Sequence, residues 1–332
     1  MLITRIPGFF PEPRHIQRNW CTWRRKKQYP LKSENLPIGI FDSGIGGLTV
    51  AHAVTRALPH ESIVYFGDTA HLPYGDKSAA AIQAYSVKIC DVLLQHRCKL
   101  ILIACNSASA AAFELASEYV GSKAVVMNVI DPVVAYVGRH FAGQTVGLIG
   151  TRQTVSSKVY DQKIKALRKK ITLRSLATPL LAPMVEEGFF DNSISHSVIE
   201  KYLSDAHLQG IQALILGCTH YPLIKNEIAR FCGSGVQIID SSEIVAAAVR
   251  QLFDSENTPV IHLAGKETPA LQLPKPDREA TGFPAASGRI VSFKTPKPGR
   301  LFLVSDFTPS FEASTKLFFG KKVHLEQYQL WE

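Results

Sequence analysis

Two cysteines stand in matched surroundings. The stretch "LILIACNSASA", residues 100–110, runs an apolar strand into Ala104, Cys105, Asn106 and Ser107. The stretch "ALILGCTHYPL", residues 213–223, does the same into Gly217, Cys218, Thr219 and His220. One thiol after an apolar run is accounted for by core packing. Two in the same setting, each followed by hydrogen-bonding residues, read as a working pair. A thiol ionises at about pH 8.5, so modest local help leaves a useful fraction as thiolate at neutral pH. A thiolate on one face of a substrate carbon and a thiol on the other could remove a proton from one side and return one to the opposite side. That exchange inverts a stereocentre, and the two roles swap in the reverse direction.

Each thiol has candidate helpers. Asp42 and Ser43 close an earlier apolar run, and His220 follows Cys218 by two residues. A nearby carboxylate or imidazole can accept or orient a thiol proton. Asn106, Ser107 and Thr219 fall at helix starts, where side chains and free backbone N–H groups can hold a carboxylate. Plain N-capping would equally explain Ser107 and Thr219. The Gly-rich "FDSGIGG" reads as a tight strand-to-helix turn; its glycines fit neither a dinucleotide fingerprint nor a P-loop. In "VEEGFF", Glu186 and Glu187 precede Gly188, and a solvated helix end accounts for such a pair on local grounds.

Delivering these groups requires strands that end at one edge. "PIGIFDSGIGGLTVAHAVTRAL" is a strand, a turn and a helix; "SIVYFGDTAHLPYG" is a second strand entering a loop; "KSAAAIQAYSVKICDVLLQH" is a helix; "KLILIAC" is a third strand. "NSASAAAFELASEYV" then restarts a helix and "KAVVMNVID" is a fourth strand. Such alternation predicts a parallel sheet with helices on both faces. At "QTVGLIGTRQTV" the pattern begins again, with Thr151 where Ser43 stood; Ser43 to Cys105 is 62 residues and Thr151 to Cys218 is 67. The chain therefore reads as α/β, with two similar pseudosymmetric domains, parallel sheets flanked by helices, and an active site in the cleft between them.

The expected division is a basic extension over residues 1–36, a first domain over 37–135 carrying Cys105, and a second over 136–253 carrying Cys218. A Pro-rich loop or linker over 254–300 leads to a strand-helix-strand unit over 301–332 that packs back on the first domain. Seven prolines between Pro259 and Pro298 mark the linker.

At 332 residues and 46% hydrophobic, the chain can bury a sizeable core. No run of about 18 uncharged apolar residues suggests a membrane span. Six cysteines without dense spacing do not suggest a disulfide scaffold, and a reducing cytoplasm fits them best. No C-x-x-C pair or His-x-x-x-His spacing points to a metal. The formal charge is +9, but residues 1–35 hold eight Lys/Arg against Glu12 and Glu34, leaving only +3 on the rest. Nucleic-acid binding is therefore not argued from overall charge. The front segment, with "WCTWRRKK", reads as a disordered extension or an over-long start, ahead of a basic contact patch or a targeting sequence.

"IGIFDSGIGGLTV", "YFGDTAHLPYGDKS", "ACNSASA", "GLIGT", "PLLAPMVEEG" and "LILGCTHYPL" occur in the order and spacing of a known family. From about Pro37 to its end the chain resembles the glutamate racemases of the cofactor-independent Asp/Glu racemase superfamily. The resemblance implies a two-base, two-thiol racemisation of L-glutamate and D-glutamate without pyridoxal phosphate, other cofactor or metal, supplying D-glutamate for peptidoglycan in the cytoplasm. It implies that Cys105 acts on the D enantiomer and Cys218 on the L enantiomer, with Asp42, His220 and Glu186 as auxiliary acid/base groups. Glu187 stays open as the alternative to Glu186. Ser43, Pro73, Tyr74, Gly75, Asn106, Ser107, Thr151 and Thr219 match the substrate pocket. A homodimer with no membrane or nucleic-acid partner is the implied assembly.

Three positions depart from the usual pattern: Ser107 stands where Thr is common, Asp76 where Asn is common, and Asp131 lies in "VIDPVV" where Glu-Pro-Gly or Glu-Pro-Ala is typical. Asp76 is expected to add negative charge near a site for an anionic substrate. Three rivals remain. An aspartate or hydantoin racemase would share both cysteines, a binding protein with a basic front end would be idle, and a pyridoxal phosphate racemase would need a Schiff-base lysine.

Overall fold

The computed structural model describes residues 36–257, 299–320 and 323–331. The basic front segment and most of the Pro-rich stretch lie outside the described residues, and so do the readings made of them.

The first sheet is built on β1 (Ile38–Asp42), β2 (Ile63–Gly67), β3 (Leu100–Ile103) and β4 (Val125–Asn128), all parallel. The second is β5 (Thr145–Gly150), β6 (Thr172–Ala177), β7 (Ala213–Gly217) and β8 (Gln237–Ile239), also parallel. Their orders match strand for strand, β2-β1-β3-β4 against β6-β5-β7-β8. Two further strands extend the first sheet: β9 (Arg300–Val304) pairs with β2, and β10 (His324–Gln327) pairs with β9. The C-terminal strand-helix-strand thus completes the edge of the first sheet.

The inner strands β1, β3 and β7 are buried along their whole length because both faces are covered. Alternate side chains go to opposite faces: Ile38, Ile40, Leu100 and Leu102 enter one core, and Phe41, Ile101 and Ile103 enter the other. In the second sheet Val146, Leu148, Ala213 and Ile215 share one core, and Ile149, Leu214 and Leu216 share the opposite one.

The helices of the first half are α1 (Gly47–Ala57), α2 (Ala79–Gln95) and α3 (Asn106–Val120). The Ser78 hydroxyl starts α2 by accepting from the Ala81 N–H at 3.2 Å, and Gly121, at φ +58°, lets the chain leave α3. The next helix, α4 (Ile130–His140), begins where the Asn128 side chain accepts from the N–H groups of Ile130 and Asp131. Its apolar face (Ile130, Val133, Val134, Val137) packs in the core of the second sheet. The expected boundary between residues 135 and 136 falls inside this helix.

The second half holds α5 (Arg152–Ser156), α6 (Val159–Ala166), α7 (Leu181–Glu186), α8 (Ser193–Leu203) and α9 (Lys225–Cys232). The return crossing is α10 (Ser241–Asn257). Its Val245, Ala246 and Val249 join the core beneath α1, while Ile244 belongs to the core of the second sheet. Most of this helix's apolar face therefore packs on the first half, although its sequence position suggested the second domain. The last helix, α11 (Pro309–Phe319), covers the first sheet with Phe311 against Tyr65 and ends at Gly320, φ +84°.

In each sheet the first strand lies between the second and the third, so loops leave its end in opposite directions. That is the switch point at which open α/β sheets bind ligands. Asp42, Ser43 and Cys105 emerge there in one half, and Thr151 and Cys218 in the other. Among the described residues no helix is long and apolar enough to cross a membrane.

Candidate active site

Cys105 directly follows β3 and occupies the N-cap position of α3, 5% exposed. Its sulfur makes a long 3.9 Å contact to the Ser43 hydroxyl. Burial raises the Cys105 pKa far above the ordinary thiol range, and the Asp42 carboxylate and Cys218 add to the rise; the Ala108 N–H and Ser43 hydroxyl oppose it. Asp42 is fully buried at the end of β1. Its Oδ2 accepts from the N–H groups of Gly44 and Gly47 at 3.0 Å each, which closes the turn into α1. The same carboxylate therefore folds the Gly-rich turn and sets the field at Cys105.

Cys218, also 5% exposed, sits at the equivalent place after β7. Here the neighbour is an imidazole: His220 Nδ1 lies 3.6 Å from the Cys218 sulfur, and His220 Nε2 lies 2.7 Å from Glu186 Oε1. Burial alone would lower the His220 pKa, but hydrogen bonds to Cys218 and Glu186, together with their charges, outweigh it and raise it well above the usual value. As an imidazolium, His220 donates one N–H to each partner and stabilises negative charge on sulfur. Glu186 ends α7, with Leu181, Ala182, Met184 and Val185 burying the rest of the turn. Of the two candidate acids the structure brings Glu186 to His220, whereas Glu187 is exposed.

The Gly-rich turn is what allows the halves to meet. A Cβ on Gly46 would lie 2.4 Å from Thr219 Oγ1 and 2.6 Å from His220 Nδ1, and one on Gly44 would lie 3.2 Å from Glu186 Oε1. Any side chain at Gly46 would push the Cys218 loop away. Across this contact Thr219 Oγ1 donates to Asp42 Oδ1 at 3.3 Å, and Thr49 Oγ1 donates to the Thr219 carbonyl at 3.1 Å.

Of the other expected pocket residues, Gly75, Ser107 and Thr151 meet where the halves join. Pro73, Tyr74 and Gly75 follow β2; Tyr74 is buried, and its hydroxyl donates to Asp68 Oδ2 at 2.5 Å. Gly75 abuts Thr151, whose Cβ would lie 2.8 Å from an added Cβ. Ser107 Oγ lies 2.9 Å from Thr151 Oγ1, again joining the halves. Asn106 is 2% exposed, and its side-chain oxygen accepts from the Tyr160 hydroxyl at 2.8 Å. The Asn106 Nδ2 amide is buried without a hydrogen-bond partner.

Two departures from the family pattern have local explanations. Asp76 does not stand as an isolated charge: its carboxylate pairs with Arg152 of the opposite half at 2.9 Å. Asp131 pairs with Lys163 at 2.6 Å and accepts from Asn128 Nδ2 at 2.9 Å. The sequence reading missed Tyr160, Thr154 and Asp68. Tyr160 and Thr154 are buried beside Asn106 and Ser107, and Asp68 anchors both Tyr74 and His71. The "DTAHLPYG" wording held the signal for Asp68; the other two lie in an ordinary polar-apolar helix pattern that carries none. Among the described residues no group of three or more His, Cys, Asp or Glu could hold a metal ion, and the five described cysteines are free.

A family model described as Asp/Glu/Hydantoin racemase matches residues 48–251. The chain belongs to the Asp/Glu/hydantoin racemase family. Glutamate racemase of Geobacter metallireducens is 40% identical over 216 residues, covering 65% of this chain and 79% of that protein. Glutamate racemase of Neisseria meningitidis is 40% identical over 223 residues, covering 66% and 81% respectively. The crystal structure of glutamate racemase from Francisella tularensis in complex with D-glutamate superposes with TM-score 0.73 at 34% identity, over 90% of this chain and 99% of that one. The Thermus thermophilus glutamate racemase structure, in complex with β-chloro-D-alanine, gives TM-score 0.69 at 33% identity over 90% and 98%. The α/β architecture of this racemase-family member, with its parallel sheets and flanking helices, is thus shared by solved glutamate racemases.

Proposed function

We propose that the protein interconverts L-glutamate and D-glutamate with two protein thiols and no cofactor, supplying D-glutamate for peptidoglycan in the cytoplasm, as a homodimer. The observation that carries this reading is the pairing of Cys105 and Cys218, which end equivalent strands of two matching sheets and reach one junction.

In the L to D direction the Cys218 thiolate, stabilised by the His220 imidazolium, takes the Cα proton from one face. The bonding pair stays on the substrate carbon and delocalises into its carboxylate. The Cys105 thiol then donates its proton to the opposite face. Cys105 ends as thiolate and Cys218 as thiol, and the D to L direction runs the same steps backwards. Burial suits Cys105 to hold a proton until a carbanion draws it away. Glu186 orients His220 and balances its charge. Asp42 builds the turn that carries Ser43 and holds Thr219 in place. The unpartnered Asn106 amide, the hydroxyls of Ser107, Thr151 and Thr219, and the backbone N–H groups at the start of α3 suit a glutamate carboxylate. Pro73, Tyr74 and Gly75 wall the first-half side.

The test is proton NMR in D₂O with reduced protein and no added cofactor. Solvent deuterium should enter at Cα of both L-glutamate and D-glutamate, with inversion. A folded protein that exchanges neither enantiomer would refute the proposal.

A further inference from the structure

Tyr160 is a buried polar group in contact with the site that the proposed chemistry leaves without a task. It lies on α6 in the second half, 1% exposed, within the core formed by Val146, Leu148, Ile164 and the apolar face of α4. Its hydroxyl reaches across to the first half and donates to Asn106 Oδ1 at 2.8 Å, a contact 54 residues apart in sequence. Asn106 is the first residue of α3, next to Cys105. The other end of the same amide, Nδ2, is buried and has no partner.

These two facts fix each other. An Asn amide can be turned end for end, and the hydrogen-bond network decides its orientation. With Oδ1 toward Tyr160, the hydroxyl proton has an acceptor and both N–H bonds of Nδ2 face away from Tyr160. With the amide reversed, Tyr160 would accept from Nδ2 and its own proton would lose its acceptor in a dry core. That is the costlier arrangement. Burial and the Asp131 carboxylate keep the Tyr160 hydroxyl protonated across the working pH range, so it remains a donor.

We infer that Tyr160 is a positioning residue, which turns the Asn106 amide so that Nδ2 presents its N–H donors to the substrate carboxylate. Because the bond spans the two halves, the donor is aimed when the halves are together. This rests on the proposed racemisation for its kinetic readout, but the amide orientation can be tested without it.

The variant is Tyr160→Phe, which keeps the ring and removes the hydroxyl. In apo protein labelled with ¹⁵N, the Asn106 side-chain amide signals, assigned by their loss in Asn106→Ala, should shift in Tyr160→Phe. Unmoved signals would overturn the inference whatever the substrate is. In kinetics, KM for both enantiomers should rise about tenfold with kcat little changed, as expected for a hydrogen bond to a charged group made equally in ground and transition states. In the Asn106→Ala background the same change should have no further effect on KM. An unchanged KM in Tyr160→Phe, or the same increase in both backgrounds, would assign Tyr160 to packing alone. Absence of racemisation by the wild-type protein would refute the proposed function instead, leaving the amide signals to decide the role of Tyr160.

Discussion

Cys105 and Cys218 end equivalent strands, yet they keep different company. Around Cys105 stand a hydroxyl, a helix N-terminus and a carboxylate already committed to two backbone N–H groups. Around Cys218 stands an imidazole backed by a second carboxylate. The first arrangement favours a thiol that keeps its proton; the second stabilises negative charge on sulfur. The matching strand orders place two thiols at equivalent positions, while the loops after the strands give them different neighbours. A two-base reaction starts from one thiol and one thiolate, and the L to D direction begins from the pattern these surroundings favour, while the D to L direction begins from its opposite.

Outside the two thiols, the largest expected effect tests the imidazole. His220→Asn should lower turnover by about 10²- to 10⁴-fold in a polarimetric assay, the usual contribution of a group that handles protons. Ser43→Ala on the other side should cost less than about tenfold. Equal losses would break the asymmetry. Next comes the buried carboxylate of the first half. Asp42→Ala strands the N–H groups of Gly44 and Gly47 and should destabilise the fold by about 3 kcal/mol, read as a lower urea midpoint. Asp42→Asn, which retains an acceptor, should lose less.

Alkali separates the halves in a third way. Burial pushes the first-half thiols Cys90 and Cys98 from the ordinary thiol range up to about 12, whereas the half-buried Cys232 of the second half is raised less. For a raised folded-state pKa, stability is fully present below the unfolded value and is lost as pH climbs towards the folded one. Thermal stability should therefore fall between about pH 9 and 12. Cys90→Ala should flatten that slope more than Cys232→Ala, and equal slopes would contradict the difference in burial. The smallest effect belongs to the exposed Arg152–Asp76 pair between the halves: Arg152→Ala should change stability by no more than about 0.5 kcal/mol.

What the sequence revealed and what it hid follow from locality. Buried parallel strands are continuous apolar runs, so the ends of β1, β3, β5 and β7, and with them Ser43, Cys105, Thr151 and Cys218, could be read directly. The choice of Glu186 over Glu187 could not. It depends on which carboxylate the turn at Gly188 leaves facing His220, a contact 34 residues away. Tyr160 was invisible because "VYDQKIKA" is an ordinary amphipathic pattern whose buried tyrosine looks like core until Asn106 arrives from the other half. Which sheet covers the two crossing helices was hidden for the same reason. An apolar stripe on α4 or α10 says that the helix is covered, not which sheet covers it.

The most direct test of the two-thiol account is deuterium entry at Cα in the single variants Cys105→Ala and Cys218→Ala, followed by proton NMR in D₂O. Neither variant should racemise glutamate. Cys218→Ala should exchange the Cα proton of D-glutamate only, and Cys105→Ala that of L-glutamate only, each without inversion. Racemisation by either variant, or exchange of the same enantiomer by both, would contradict the assignment of one thiol to each face.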